Sequence, residues 1–148
     1  MGRKEMTMVD REETDRLIRT ALIRVRALEE IEKEGDYVKA VNEAYSIMFM
    51  AAKATLNHLG ANAISHRAVA SIFRKELMGR DVMSRKYQDY LRKIHDYREE
   101  VSVEKAEPMP PDKLARIVAG CKDFVNALNE VIKANPEPIL QHDITDFA

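Results

Sequence analysis

Between Asp36 and Gly60 the apolar residues fall at Val38, Val41, Tyr45, Met48, Ala52, Thr55/Leu56 and Leu59. Steps of three and four alternate, which draws one stripe along a helix face, and a stripe this regular demands partner helices. Asp36 can accept hydrogen bonds from the free N–H groups of the first turn. Gly60 can take the left-handed turn that closes the last one.

The rest of the chain supplies the partners by the same logic. A first helix is expected from about Asp10, where Asp10 and Glu13 have capping-box spacing, to Glu34. Its inner side reads Leu17/Ile18, Ala21/Leu22, Val25, Leu28 and Ile31. Ser65 is placed to cap a third helix reaching about Met78, with Val69, Ile72, Phe73 and Leu77 inward. Ser84 caps a fourth, whose inner face runs Tyr87, Leu91, Ile94, Tyr97/Arg98 and Val101. After the break VEKAEPMPPD, Pro111 and Asp112 open a fifth helix carrying Leu114, Ile117, Cys121, Phe124, Leu128 and Val131 on one side. Asn135-Pro136 stops it. All five prolines lie at or after Pro108, so the earlier helices run uninterrupted between glycines.

No segment alternates with a strand period, and no repeat is visible. The expected fold is all-α: an antiparallel up-and-down bundle of four long helices plus a shorter one. With 148 residues the chain is expected to form a single domain over 1–148, its core spanning about 10–133 and a tail following at 134–148. The tail carries Ile139, Leu140, Ile144 and Phe147, which are expected to bury part of their surface across a twofold interface.

Composition narrows the function classes. The formal net charge of −1 gives no global pull toward nucleic acid or an anionic membrane, so any RNA contact has to come from a local patch. One cysteine, Cys121, excludes an internal disulfide and a cysteine-rich zinc site. No apolar run approaches the ~20 residues of a membrane span. Arg3, Lys4 and Glu5 are followed by no apolar segment of the signal-peptide type, which makes a cytoplasmic location the expectation.

Spacing excludes several chemistries as well. The five glycines are too scattered for a phosphate-cradling loop. A di-iron bundle needs Glu-x-x-His, but Thr55, Ala63, Arg92 and Ile139 stand three residues before the four histidines. His-Glu-x-x-His is absent too. Neither a metal nor a cofactor is expected.

The fourth helix, YLRKIHDYREE, carries the densest chemistry. Arg92, His95 and Glu99 share a face, and Arg98 lies a turn beyond His95 at the border of the core side. Arginine can grip a phosphate with two parallel N–H bonds, and an imidazole can move a proton near neutral pH. The competing reading is a solvated face on which Glu99 pairs with Arg92 or His95. Elsewhere the simpler roles are structural. His58 suits the negative end of the second helix, and His66 can close a loop by hydrogen bonding. Met48, Phe49 and Met50 read as core filling, and Cys121 as an inert core thiol. Tyr45, Tyr87, Tyr90 and Tyr97 can stack a base, but more often a tyrosine so placed sits at the core margin with its hydroxyl in water.

The segment DYVKAVNEAYSIMFMAAKATLNHLG resembles the helix of small HEPN-domain proteins that runs, in outline, A-x-x-x-A-Y-Y-A-M-F-x-A-A-x-A-L-L. Ala40, Ala44, Tyr45, Met48, Phe49, Ala51, Ala52, Ala54 and Leu56 carry the likeness. Ser65-His66-Arg67, SIFRKEL, YLRKIHDYRE and KDFVNALNEVI follow in the family's order, so that the resemblance spans about 36–133. Arg98 is the position that matches the family's arginine.

This resemblance implies an antiparallel helical bundle that forms homodimers. Many such proteins are ribonuclease toxins encoded with a minimal nucleotidyltransferase as antitoxin, while others serve as RNA- or nucleotide-associated binding modules. The ribonuclease members carry Arg-x(4–6)-His. Here none of the four histidines has an arginine at that distance before it, and Ser46 and Met50 stand where a second tyrosine and a histidine are common. The expectation is a HEPN-type binding or toxin–antitoxin component with Arg92, His95 and Arg98 at its nucleotide or RNA site. The alternatives are a divergent metal-independent ribonuclease using those three residues, and a structural protein-interaction module.

Overall fold

A computed structural model describes residues 8–78, 82–103 and 108–140. The helices are α1 (Met8–Glu34), α2 (Tyr37–His58), α3 (His66–Ile72), α4 (Arg85–Val101) and α5 (Pro111–Ala134). No strand occurs among the described residues, and the chain is an all-α antiparallel bundle of four long helices and one shorter helix, as expected.

The capping chemistry operates as expected at three starts. Asp36 accepts from Lys39 N at 3.1 Å, Ser65 Oγ from Ala68 N at 3.0 Å and Ser84 Oγ from Lys86 N at 3.3 Å. The first helix is already formed at Met8, the first described residue, two residues ahead of the capping-box position. The third differs more. After Ile72 its backbone widens into π turns over Phe73–Met78, a change of pitch that leaves the same residues facing inward and therefore has no signature in the hydrophobic spacing.

α2 is the centre of the molecule. It packs against α1, α3, α4 and α5, and its buried residues are not confined to one stripe. Ala40, Ala44, Ala51 and Ala54 are sealed alongside Val41, Ile47, Met48 and Leu56. Small side chains let the neighbouring backbones come close on several sides, so the helix is enclosed rather than half-exposed. Val38, counted in the stripe, is 37% exposed because it stands in the first turn, at the end of the bundle.

From α5, Leu114, Ile117, Cys121, Phe124, Leu128 and Val131 all point inward. Phe124 stacks on Phe73 with ring centroids 5.7 Å apart. Burial pushes the Cys121 thiol up to about 12, which keeps it protonated and inert.

Leu140 corrects the expectation for the tail. It is fully buried within its own chain, where its N–H donates to the Leu59 carbonyl at 2.7 Å. Its apolar surface is thus already covered in cis. Ile139 remains partly exposed, and Ile144 and Phe147 lie outside the described residues.

His58 also does more than favour a helix end. It is buried, and its Nε2 donates to the Asn135 carbonyl at 2.8 Å, tying the end of α2 to the end of α5.

A cleft between α2, α3 and α4

Tyr45 and Phe49 lie one turn apart on α2, with ring centroids separated by 4.7 Å. Both are buried and form a floor. Asn42, Ser46, Met50 and Lys53 flank them along the same helix. The connection to α3 then folds back tightly. Ala61 N donates to Leu56 O at 2.9 Å and Ala63 N to Asn57 Oδ1 at 3.2 Å, which returns the chain to the side of α2. As a result His66, the first residue of α3, lies against both aromatic rings, 5.3 Å from Tyr45 and 4.8 Å from Phe49. α4 closes the other border by laying the Arg98 guanidinium 4.3 Å from the centre of the Tyr45 ring. Together these residues border an open cleft of about 420 Å³, a size suited to a small ligand, with Ile64 and Ser65 completing the lining.

Tyr45 is the hub of this arrangement. Its hydroxyl lies 2.8 Å from His66 Nδ1 while its ring face carries Arg98. A hydroxyl can donate or accept, so this contact serves the neutral and the protonated imidazole alike.

The electrostatics are one-sided. Among the described residues the lining contains Lys53, Arg98 and His66 and no carboxylate. Partial desolvation of a ring that is still exposed on one side comes first, then the positive charges of Arg98 and Lys53, and together they hold His66 below its ordinary value of 6.5. Since the folded imidazole binds a proton less readily than the unfolded one, its contribution to stability is present above about pH 6.5. That contribution is lost as pH falls through the folded value. Urea unfolding at pH 7.5 and 5.5 should therefore show a larger loss of stability for wild type than for His66→Gln. Equal losses would remove His66 from the charge balance of the cleft.

The three residues expected from the fourth helix separate in space. Arg98 lines the cleft. His95 is exposed and stands beside it, its ring 6.3 Å from Tyr45, with Asp96 and Glu99 at 3.8 and 4.0 Å from its nitrogens. Arg92 is exposed on the same helix, away from the lining, and pairs with Asp89 at 3.4 Å. Glu99 thus neighbours His95 rather than Arg92.

Lys53 and His66 are the additions that sequence reasoning missed. Lys53 lies two turns beyond Ser46 on a helix read only for its apolar side. His66 looked like a loop closer, and only the return of the chain after Gly60 brings it to Arg98. Among the described residues no group of three or more His, Cys, Asp or Glu side chains could hold a metal ion. Nor is any described helix long and apolar enough to cross a membrane.

Comparison with known proteins adds one result. The family description of the HEPN domain matches residues 14–131, most of the chain and all five helices. No curated protein matches it.

Proposed function

Because this chain belongs to the HEPN-domain family, we propose that it is a nucleotide- or RNA-associated binding component of the toxin–antitoxin type, and that its ligand's phosphate enters the cleft at Arg98 and His66. The observation that carries this reading is the company Arg98 keeps. The arginine matching the family's arginine shares a nucleotide-sized cleft with Lys53, His66 and two aromatic rings, and no described lining residue is a carboxylate. Arginine offers bidentate contacts to phosphate, and a base can settle against the aromatic and apolar floor. Arg92 and His95 contribute at the border, where Asp89, Asp96 and Glu99 weaken their pull on an anion. A homodimer in the cytoplasm, with a minimal nucleotidyltransferase as antitoxin, completes the proposal, and these elements follow from the family rather than from the cleft.

Titration of short single-stranded RNA and ATP at low and moderate salt tests it. Arg98→Ala should weaken binding about tenfold or more, whereas Arg92→Ala should have a small, salt-sensitive effect. Equal binding by wild type and Arg98→Ala would retire the cleft.

A second reading rests on a specific contact. Although the family's linear Arg-x(4–6)-His spacing is absent, His66 and Arg98 meet around Tyr45 from two different helices. In a metal-independent ribonuclease His66 would take the proton of a ribose 2′-hydroxyl as that oxygen bonds to the adjacent phosphorus, and Arg98 and Lys53 would bear the charge growing there. The bond from phosphorus to the 5′-oxygen breaks, that oxygen takes a proton from water, and the products are a 2′,3′-cyclic phosphate and a 5′-hydroxyl end. RNA cleavage by wild type that disappears in His66→Ala but persists in His95→Ala would favour this reading over binding alone.

A further inference from the structure

We propose that the cleft selects a nucleotide bearing a free terminal phosphate over an internal phosphodiester, and that His66 takes up a proton as this dianion binds. The proposal rests on the phosphate-binding reading above and adds which phosphate and which protonation state.

Charge matching carries the argument. Two fixed cations, Arg98 and Lys53, share the lining with an imidazole and, among the described residues, with no carboxylate. They lie close enough for their charges to oppose protonation of His66, so the empty cleft holds like charges that repel one another. A phosphodiester brings a single negative charge and offsets only part of that field. A phosphomonoester carries about −1.5 to −2 at pH 7 and offsets both cations. It also reverses the field at the imidazole, which then gains a proton and becomes a third donor.

The ring is held for this change. His66 faces Tyr45 and Lys53 of α2 and Arg98 of α4, His95 lies beyond Tyr45, and Arg67 follows it on α3. None of these is a carboxylate, and Asp96 and Glu99, which stand beside His95 at the border, are not among the charges that act on the His66 ring. The Tyr45 hydroxyl accepts from Nδ1–H as readily as it donates to the bare nitrogen, so protonation leaves the 2.8 Å contact in place and Nε2 remains for the ligand. A cleft of about 420 Å³ has room for one nucleotide, whose base would lie along Tyr45, Phe49, Met50 and Ile64.

The pH dependence has a definite shape. Affinity falls as pH rises through and above the lowered value of the free imidazole, because the proton at His66 must then be taken from a scarcer supply. It also falls below about pH 6, where the phosphomonoester itself becomes a monoanion.

Isothermal titration calorimetry of the full chain with AMP, its methyl phosphate ester and adenosine tests both parts. Running AMP in two buffers of different ionisation enthalpy at pH 7 counts the protons taken up. AMP should bind about tenfold or more tighter than the ester, and the ester tighter than adenosine, with fractional proton uptake that vanishes in His66→Gln. Equal affinities for AMP and the ester, both above adenosine, would overturn the end selectivity while leaving phosphate binding intact. No gain over adenosine by either would overturn phosphate binding as well. Undiminished uptake in His66→Gln would move the proton off His66 and overturn that part. The comparison of the three ligands on wild type stands even if the variant misfolds.

Discussion

Phe49→Ala is expected to cost about 3–5 kcal/mol of unfolding free energy, toward the lower end of that span. Phe49 is only 4% exposed and packs against both the Tyr45 and His66 rings, at 4.7 and 4.8 Å. Deleting the ring removes its buried apolar area and leaves a void beneath α3. That void opens toward the cleft, so water can enter and relieve part of the cost. The loss should nevertheless be large, because α3 leans on this ring. Urea unfolding measures it directly. A change below about 1 kcal/mol would mean that Phe49 does not support the floor and that the register of α2 is wrong. Phe124→Ala, at a fully buried position stacked on Phe73, should cost a similar amount without touching the cleft.

Gly60→Ala is expected to destabilise by about 2–4 kcal/mol, a large effect for one methyl group. Gly60 has φ +106°, a conformation that L side chains rarely adopt. A Cβ built there runs into the Leu140 carbonyl oxygen and comes within 3.2 Å of Pro138 Cβ. Either the turn after α2 or the docked segment 138–140 has to give way. The clash falls on backbone, which cannot swing aside as a side chain would. If that segment yields, the Leu140 N–H bond to Leu59 is lost and Leu140 is exposed. If the turn yields, His66 moves off Tyr45. Truncation after Ala134 separates the two strains, since Gly60→Ala in the shortened chain should retain only the conformational part. An unchanged penalty there would show that contact with residues 138–140 contributes nothing.

These two positions also show where sequence reading reaches its limit. Helix periodicity exposes whichever face is apolar, and the inner faces of α3 and α5 were legible for that reason. Asp36, Ser65 and Ser84 were legible because a short polar side chain before an apolar run has few other uses. The enclosure of α2 was not, since alanine is neutral in any hydrophobic count and its packing role emerges only when neighbours close in. Leu140 shows the same limit from the other side: an apolar tail residue demands cover, but its spacing cannot say which surface supplies it. Gly60 could be assigned to a helix end, but not to the crossing of residues 138–140 above it.

The candidate site divides in the same way. Arg98 was visible as an arginine at the core border of an amphipathic helix. Arg92 and His95 were visible by the same rule, and helical spacing alone could not tell which would face the cleft and which would meet acidic neighbours. His66 belongs to another helix, and its approach to Arg98 depends on a turn that no local pattern encodes.

The central claim is that a phosphate enters between Arg98 and His66. NMR of the histidine ring signals during titration with AMP tests it most directly, because His66 lines the cleft while His58 is sealed beneath the end of α5. The predicted result is a saturable shift of the His66 ring toward its protonated position, little change at His58, and loss of the shift in Arg98→Ala. A His66 signal that stays fixed while AMP binds, or that moves equally in Arg98→Ala, would contradict the account.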